Sequence, residues 1–218
     1  FVTGLIIWVM IRYNKKRNPN PSSFTHHTPI EIAWTILPIL VLVLIGAYSL
    51  PILFRQQEIP EADITIKAIG NQWNWDYEYQ LDEPFNFNAA LLQDDARAEL
   101  GKEDMVGYPR LLAVDNEVVV PVDTTVRVLV TASDVLHAFA MPSFGIKVDA
   151  VPGRINETWF KATKEGLYYG QCSELCGKDH AYMPITVKVV SEEEYEQWLE
   201  GAIEEYAGTP QSYDVASR

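Results

Sequence analysis

The residues best suited to chemistry lie in one short segment near the C-terminal end of the chain. Two thiols, an imidazole and a thioether follow one another with the spacing C-x3-C-x3-H-x2-M, at Cys172, Cys176, His180 and Met183. A second imidazole, His137, follows a predicted strand. Because thiolate, imidazole and thioether ligands suit copper, this set favours a copper site for electron transfer.

Other uses of these residues stay open. A disulfide between Cys172 and Cys176 is possible outside a reducing compartment, although a four-residue separation would strain it. Two cysteines and two histidines can also hold tetrahedral zinc, although C-x3-C is not the usual zinc spacing. A single blue-copper ion needs two histidines, one cysteine and a weak methionine, which leaves one cysteine to spare. The spare thiolate favours two copper ions bridged by sulfur.

The charge distribution divides the chain into two unlike parts. The whole chain of 218 residues carries a net charge of −13. Residues 1–57 hold five basic residues and one acidic residue, a net +4, and the remainder holds twelve basic and 29 acidic residues, a net −17. Such a break indicates a basic, membrane-facing part and an acidic, water-exposed part. The acidic balance argues against a nucleic-acid partner, because phosphate binding needs a basic surface.

The N-terminal part has the character of a membrane hairpin over residues 1–57. Residues 32–54 carry no charge and predict a membrane-spanning second helix over residues 30–54. Residues 1–11 are apolar but short, so we expect the truncated end of a first spanning helix. A cleaved signal peptide is the alternative, but it would place its basic residues before the apolar run. The basic loop, residues 12–29, predicts that everything after the second helix lies on the non-cytoplasmic side.

Glu31 lies at the start of this second helix. An acid at a helix N-terminus is favoured by the helix dipole, which is a purely structural role. An ionisable group at the edge of an apolar span is also a candidate for a proton path. Both roles are open on the residues alone.

The C-terminal part predicts an all-β domain over residues 58–190. In residues 73–79 aromatic and polar side chains alternate, as on a half-buried strand. Short strands separated by turns predict an antiparallel sandwich or barrel. The further predicted strands are Ile64–Ile69, Val118–Val122, Thr125–Thr131, Asn156–Lys161 and Pro184–Val190.

Two segments of the C-terminal part differ from this strand pattern. Residues 82–109 are rich in acids and predict a long insertion with a helical turn over residues 89–100. Ser191 followed by Glu194 predicts a capped helix that reaches Tyr206, so residues 191–218 form a C-terminal helix and tail.

Several motifs together resemble subunit II of the haem–copper cytochrome c oxidases. They are the membrane hairpin, Gly70-Asn71-Gln72-Trp73-Asn74-Trp75, Asp134-Val135-Leu136-His137, Val151-Pro152-Gly153-Arg154 and the Cys172–Met183 loop. The resemblance implies a membrane α-helical hairpin followed by an all-β cupredoxin-like domain, a sandwich or barrel, with a C-terminal helix. It also implies a multi-pass protein of the bacterial inner membrane whose copper domain lies in the periplasm.

The function implied by the resemblance is the uptake of electrons by an oxidoreductase. A binuclear copper centre, CuA, would accept electrons from cytochrome c and pass them to haem in subunit I, where oxygen is reduced to water and protons are pumped. This chain would be one component of that enzyme, because the oxygen site lies in subunit I. The implied partners are subunit I, other oxidase subunits, cytochrome c and the lipid bilayer.

The resemblance also implies a role for each site residue. Cys172 and Cys176 would bridge the two copper ions, and His137 and His180 would be terminal ligands. Met183 and the backbone carbonyl of Glu174 would be weak axial ligands, and the Glu174 side chain would bind a magnesium or manganese ion shared with subunit I. Outside the metal centre the implied roles are electron uptake by Trp73, a proton-path entrance at Glu31 and cytochrome c docking by Glu78, Asp115 and Asp134.

The chain departs from the family pattern at two positions and in one segment. The aromatic motif of the family is GHQWYW, whereas Asn71 and Asn74 stand here in place of its His and Tyr. The insertion over residues 82–109 resembles a bacterial one. Three related alternatives fit less well: a quinol-oxidase subunit would lack the copper ligands, a nitrous-oxide reductase domain would lack the hairpin, and a single-copper cupredoxin would not need the second cysteine.

Overall fold

The structure is a computed structural model, and it describes residues 1–206 of the chain. The described residues form two compact units, of which the first is Phe1–Arg55 and the second begins at Gln56. The tail predicted after Tyr206 lies outside the described residues.

The first unit consists of two apolar helices, α1 (Val2–Arg12) and α2 (Thr28–Gln57). At 1.5 Å per residue, the 30 residues of α2 extend about 45 Å, which exceeds the roughly 30 Å of a bilayer core. Helix α1 has only 11 residues. Within residues 1–206, α2 is therefore the one helix long and apolar enough to cross a membrane, and the two-span hairpin stays a prediction.

Up to Tyr206, the second unit is a β-sandwich of two five-stranded sheets followed by helix α3 (Glu192–Tyr206). The strand order is β3-β2-β1-β5-β8 in the first sheet and β4-β10-β9-β6-β7 in the second. The strands are β1 (Ile64–Asn71), β2 (Asn74–Tyr79), β3 (Phe85–Ala89), β4 (Val118–Pro121), β5 (Thr125–Ala132), β6 (His137–Met141), β7 (Ile146–Ala150), β8 (Asn156–Lys161), β9 (Gly166–Cys172) and β10 (Pro184–Val190).

The core forms where alternate side chains of both sheets meet. On β5, Val126, Val128 and Val130 are buried and the residues between them are partly exposed, as a period of two requires. On β2 the buried face holds Trp75, Tyr77 and Tyr79. The predicted aromatic face is thus confirmed for these three residues. Trp73 precedes the strand and is only partly buried.

The predicted sandwich is confirmed, but its sheets are mixed, so the expectation of antiparallel pairing is wrong for two of the strand pairs described. Strand β1 pairs with β5 in parallel, and β4 pairs with β10 in parallel. The reason is the chain path: after the antiparallel pairs β1–β2 and β2–β3, the chain crosses over and adds β5 on the other side of β1 in the same direction.

The predicted insertion, residues 82–109, is partly strand and is anchored to the sandwich. Strand β3 lies within it, and hydrogen-bonded turns follow over residues 94–101, where Leu100 N–H donates to Ala96 O at 3.1 Å. Buried Lys102 donates to Val114 O at 3.2 Å and lies 2.5 Å from a carboxylate oxygen of Glu117. A buried charge needs such partners, so Lys102 attaches the inserted segment to residues 114–117.

The C-terminal helix begins as its sequence predicts. Ser191 Oγ accepts a hydrogen bond from the N–H of Glu194 at 3.2 Å and caps the first turn of α3. Tyr195 and Ala202 are buried, and the Trp198 ring lies 5.4 Å from the ring of Tyr79 between centroids. The apolar stripe of α3 therefore covers one end of the aromatic core.

Candidate metal centre

Two neighbouring strands of the second sheet bring the ligand candidates together. Strand β6 begins at His137 and β9 ends at Cys172, and the two strands are antiparallel with Phe139 opposite Cys172. This pairing places His137 beside a cysteine 35 residues later. The other candidates follow β9 in the loop that leads to β10, which begins at Pro184.

Four short distances connect the predicted copper ligands. Cys172 Sγ lies 3.8 Å from His137 Nδ1 and 3.9 Å from Cys176 Sγ. Cys176 Sγ lies 3.6 Å from His180 Nδ1 and 3.6 Å from Met183 Sδ. Both cysteines are free thiols, so the structure contains no disulfide between them. The five side chains therefore form one connected cluster, with the two sulfur atoms of the cysteines at its centre.

Glu174 contributes its backbone to this group. Its carbonyl oxygen accepts a hydrogen bond from Cys172 Sγ at 3.3 Å, whereas the residue as a whole is exposed. Within residues 1–206, the group of histidine, cysteine and acidic side chains close enough to hold a metal is His137, Cys172 and Cys176. Thus the carbonyl lies at the cluster, and no group of three such side chains among the described residues includes the Glu174 carboxylate.

The donor set and its burial fit copper. His137 and Met183 are at most 1% exposed, and the two cysteines at most 6%. Thiolate, thioether and imidazole groups with one carbonyl are soft or borderline ligands, and no carboxylate is among them. Nδ1 of His137 faces the sulfur of Cys172, as a ligating nitrogen would. These residues would hold copper.

Asp134 is hydrogen-bonded to His137 Nε2, the ring nitrogen that faces away from Cys172. Its Oδ1 lies 2.9 Å from His137 Nε2, and the carboxylate also accepts backbone hydrogen bonds from Val135 at 2.6 Å and Gln72 at 2.8 Å. Burial raises the pKa of Asp134, but these hydrogen bonds outweigh it and leave that pKa lowered. Burial likewise opposes protonation of His137, but its bonds to Cys172 and Asp134 raise the imidazole pKa.

The two thiols differ in their ionisation before any metal binds. For Cys172, burial favours the neutral thiol, but hydrogen bonds from His137 and from the backbone lower its pKa. For Cys176, burial and the neighbouring charge of Cys172 raise its pKa. Metal binding must therefore displace a proton from Cys176 in particular.

A glycine makes room for the His137 ring. A Cβ built on Gly70 would lie 2.9 Å from His137 Cδ2 and 3.0 Å from Cβ and Cγ of the same residue. The ring of Trp75 packs edge-on to the imidazole, with centroids 6.1 Å apart. His137 is thus confined between strand β1, Trp75, Asp134 and Cys172.

The predicted electron-uptake residue, Trp73, lies against the ligand loop. A Cβ built on Gly177 would lie 2.9 Å from Trp73 Cζ2, so the indole packs directly on the residue after Cys176. Nζ of Lys178 lies 5.4 Å from the centroid of the Trp73 ring, within the range of a cation–π contact.

The three predicted docking acids all have partners within the chain. Glu78 forms an ion pair with Lys67 at 3.0 Å, and its side chain is 17% exposed. Asp115 accepts backbone hydrogen bonds from Ala90 at 2.7 Å and Asn116 at 2.8 Å. Asp134 is bonded to His137 as described. Each acid therefore has a structural role, whatever it does at the surface.

Glu31 lies in the first unit, at the start of α2. Its Oε1 accepts a hydrogen bond from the N–H of His27 at 2.9 Å. Such a bond is that of a capping box, so Glu31 has a structural contact at the helix N-terminus. Its proton-path role stays a prediction.

Gln72 is the residue that the sequence did not single out. Its side-chain Nε2 donates to the carbonyl oxygen of Cys176 at 2.7 Å, across 104 residues of sequence. In the sequence, the feature that could have pointed to Gln72 as a site residue is its position beside Trp73 in the aromatic motif.

Comparison with known proteins matches both units of the chain to the same protein family. Residues 64–190 match the family described as cytochrome c oxidase subunit II, periplasmic domain, and residues 1–52 match its transmembrane domain. The chain is 54% identical over 213 residues to cytochrome c oxidase subunit 2 of Cereibacter sphaeroides, covering 93% of this chain and 70% of that one. It is 51% identical to a probable subunit 2 of Rickettsia prowazekii, covering 91% and 61%.

Two solved structures match the β-sandwich. The periplasmic domain of subunit II from Bradyrhizobium japonicum is 52% identical, with a TM-score of 0.61 over 69% of this chain and 100% of that one. A mixed disulfide intermediate between a thioredoxin-like protein and subunit II is also 52% identical, with a TM-score of 0.58 over 70% and 99%. The family matches, the sequence identities and the cluster of thiols and imidazoles in the β-sandwich all indicate the same family. The chain belongs to the cytochrome c oxidase subunit II family, as a membrane protein with a periplasmic, CuA-type domain.

Proposed function

We propose that this chain is the electron-accepting subunit of a cytochrome c oxidase. It would take electrons from cytochrome c and deliver them to haem in subunit I, where oxygen is reduced to water and protons are pumped. The observation that carries the proposal is the cluster of two thiols, two imidazoles and a thioether in the matched domain, in which every member except His180 is buried. A bound pair of copper ions would supply storage of one electron at a time with little rearrangement.

The proposed ligands are those converging side chains. Cys172 and Cys176 would bridge the metal pair and His137 and His180 would be terminal ligands, with Met183 and the Glu174 carbonyl as weak ligands. The two strands that carry His137 and Cys172 are hydrogen-bonded neighbours, so the protein fixes these ligands before the metal arrives. Asp134 holds Nε2 of His137 and leaves Nδ1 for the metal.

Trp73 is the proposed site of electron uptake. Its indole packs on the residue that follows Cys176, so a donor haem placed over Trp73 would lie close to the centre. The acidic charge of the second unit would steer a basic cytochrome c toward it, with Glu78, Asp115 and Asp134 as contributors. Steady-state turnover should then fall as ionic strength rises.

The remaining roles concern the membrane and subunit I. We infer a multi-pass protein of the bacterial inner membrane with a hairpin over residues 1–57, a copper domain over 58–190 and a C-terminal helix and tail over 191–218. Glu31 would stand at a proton-path entrance, and the exposed side chain of Glu174 would bind magnesium or manganese at the contact with subunit I.

Copper content and electron paramagnetic resonance of the purified oxidase test this function. We expect two copper ions per copy of this chain, with one unpaired electron shared between two copper nuclei. Cys176→Ser should abolish that signal and slow electron uptake, while Ser173→Ala, in the same loop, should leave both unchanged. A domain with one copper ion or none, or normal electron uptake in Cys176→Ser, would contradict the proposal.

A specific observation also favours a thiol–disulfide step before metal binding. The two Sγ atoms are 3.9 Å apart, and a structural relative is captured in a mixed disulfide with a thioredoxin-like protein. We propose that a Cys172–Cys176 disulfide, when formed, is reduced by a dithiol protein: its thiolate attacks one sulfur, and its second thiol then releases this chain as the dithiol. Oxidised chain should bind copper only after such reduction.

A further inference from the structure

The turn between β1 and β2, formed by Gln72 and Trp73, touches both halves of the metal centre. On one side, the Gln72 N–H donates to Asp134 Oδ2 at 2.8 Å, and Oδ1 of the same carboxylate holds His137. On the other side, Gln72 Nε2 donates to the Cys176 carbonyl at 2.7 Å. One residue therefore connects the histidine side of the centre to the cysteine loop.

The turn is itself held by a polar network. Nδ2 of Asn71 donates to Asp76 Oδ2 at 2.7 Å and to Asn74 Oδ1 at 3.1 Å, and Ser133 Oγ donates to Asn71 Oδ1. Asn71 and Asn74 are the two positions where this chain departs from the family motif. These bonds fix the residues on both sides of Gln72, so its side chain begins from a constrained backbone.

The cysteine loop is held from its own sheet, where Ser173 N–H donates to Ala138 O at 3.1 Å, and also from outside that sheet. Between Cys172 and Cys176 its tip is open to solvent, and Leu175 is 77% exposed. At the base of the loop, the bond from Cys172 N–H to Met183 O is long, at 3.4 Å. The 2.7 Å bond from Gln72 reaches the loop from another sheet, directly at a proposed bridging ligand.

We propose that Gln72 is a positioning residue of the metal centre, which fixes the Cys176 segment relative to His137 through its two hydrogen bonds. The proposal rests on the proposed function in one respect, that the centre holds copper. Without the amide donor, the Cys176 carbonyl loses its partner and the loop gains freedom to move away from the histidine side. The centre then loses metal faster, since supporting hydrogen bonds around metal ligands typically contribute 10- to 100-fold in affinity.

The test compares Gln72→Met with Gln80→Met in the purified oxidase. Methionine preserves the length of the side chain and removes its donor, and Gln80 is an exposed residue at the end of the same hairpin. We expect Gln72→Met to lose copper to a Cu(I) chelator about 10-fold faster than the parent and to show an altered copper hyperfine pattern. Gln80→Met should match the parent in both.

Each outcome has a separate meaning. Parent oxidase without a copper pair would contradict the proposed function. A copper pair in the parent, with chelator loss and hyperfine pattern unchanged in Gln72→Met, would overturn the positioning role, even if thermal stability fell. Should Gln72→Met not assemble, Gln72→Glu, of nearly the same shape, replaces it. Faster copper loss in Gln72→Glu supports the proposal, and copper retention equal to that of Gln80→Met refutes it.

Discussion

Asp134 and His137 share a hydrogen bond of 2.9 Å between Oδ1 and Nε2, and the opposite ring nitrogen of His137 faces Cys172. Only two residues lie between them, so the start of β6 and the short segment just before it supply both a ligand and the group that orients it. The carboxylate selects the tautomer with hydrogen on Nε2, which leaves Nδ1 as an electron-pair donor.

Replacing Asp134 should weaken metal binding more than partner binding. In Asp134→Ala the imidazole loses its orienting partner, and we expect copper affinity to fall about 10- to 100-fold. Competition with a chelator measures this, and Asp149→Ala, an exposed acid on β7, is the control. If Asp134 served in docking alone, only the salt dependence of cytochrome c oxidation would change.

Tyr79 and Tyr77 should respond differently to loss of the hydroxyl. Tyr79 Oη donates to Val119 O at 2.7 Å and accepts from Val119 N–H at 3.0 Å, whereas the buried hydroxyl of Tyr77 has no hydrogen-bond partner among the described residues. Tyr79→Phe leaves two buried backbone groups unpaired and should lower the free energy of unfolding by about 1–3 kcal/mol. Tyr77→Phe should be neutral or stabilising in the same denaturant titration; equal losses would contradict this assignment.

The buried phenols also predict loss of stability in alkali. Burial raises the pKa of Tyr77 and Tyr79 well above its ordinary value, and burial with the charge of Glu192 raises the pKa of Tyr195 to about 12. Unfolded tyrosine ionises near pH 10. Stabilisation by the neutral phenols is therefore complete below about pH 10 and is lost as pH rises toward the folded pKa values.

Thermal unfolding of the full chain in detergent, followed between pH 8 and pH 12, checks this expectation. The midpoint should fall steeply above about pH 10, and less steeply in Tyr77→Phe. Tyr182→Phe, at an exposed position, is the control and should follow the parent. A flat profile in the parent would show that burial of these phenols is not linked to stability.

Gly70 should be intolerant of any side chain. A methyl group there meets the His137 ring at 2.9–3.0 Å, so Gly70→Ala must shift the imidazole away from its place. We expect an altered copper spectrum and lower copper content. The matched control is Gly201→Ala in α3, where nothing lies within 4 Å of the added methyl group. That change should stabilise the helix by about 0.5–1 kcal/mol in a thermal or denaturant measurement.

Local patterns predicted the parts of the site that are local in sequence. Cys172, Cys176, His180 and Met183 lie in one loop, so their spacing alone indicated a common ligand set. In the structure His137 lies beside these residues because β6 and β9 are neighbouring strands. That adjacency depends on sheet order, which residue spacing does not reveal. The bond from Gln72 to Cys176 depends on both sheets and could not be predicted from local sequence.

Among the strands, too, some features have a local sequence signal and others depend on the path of the whole chain. Phe85 and Phe87 alternate with asparagines on β3, so the period-two signal was present within the acid-rich excursion but short. Strand β6 is buried along its whole length and therefore shows no alternation. The parallel pairing of β1 with β5 had no local signal, because strand direction depends on the path of the intervening chain.

The two parallel strand pairs, β1–β5 and β4–β10, should form late during folding, because each joins segments that are distant in sequence. Strand β1 can pair with β5 only after about 60 further residues are in place. Strand β4 likewise pairs with β10, the last strand before α3. Contacts between distant segments are slow to form, because the closure of long loops costs entropy before it gains any contact. We therefore expect Cys172 and Cys176, which are buried only in the finished sandwich, to be open to oxidants for as long as folding lasts.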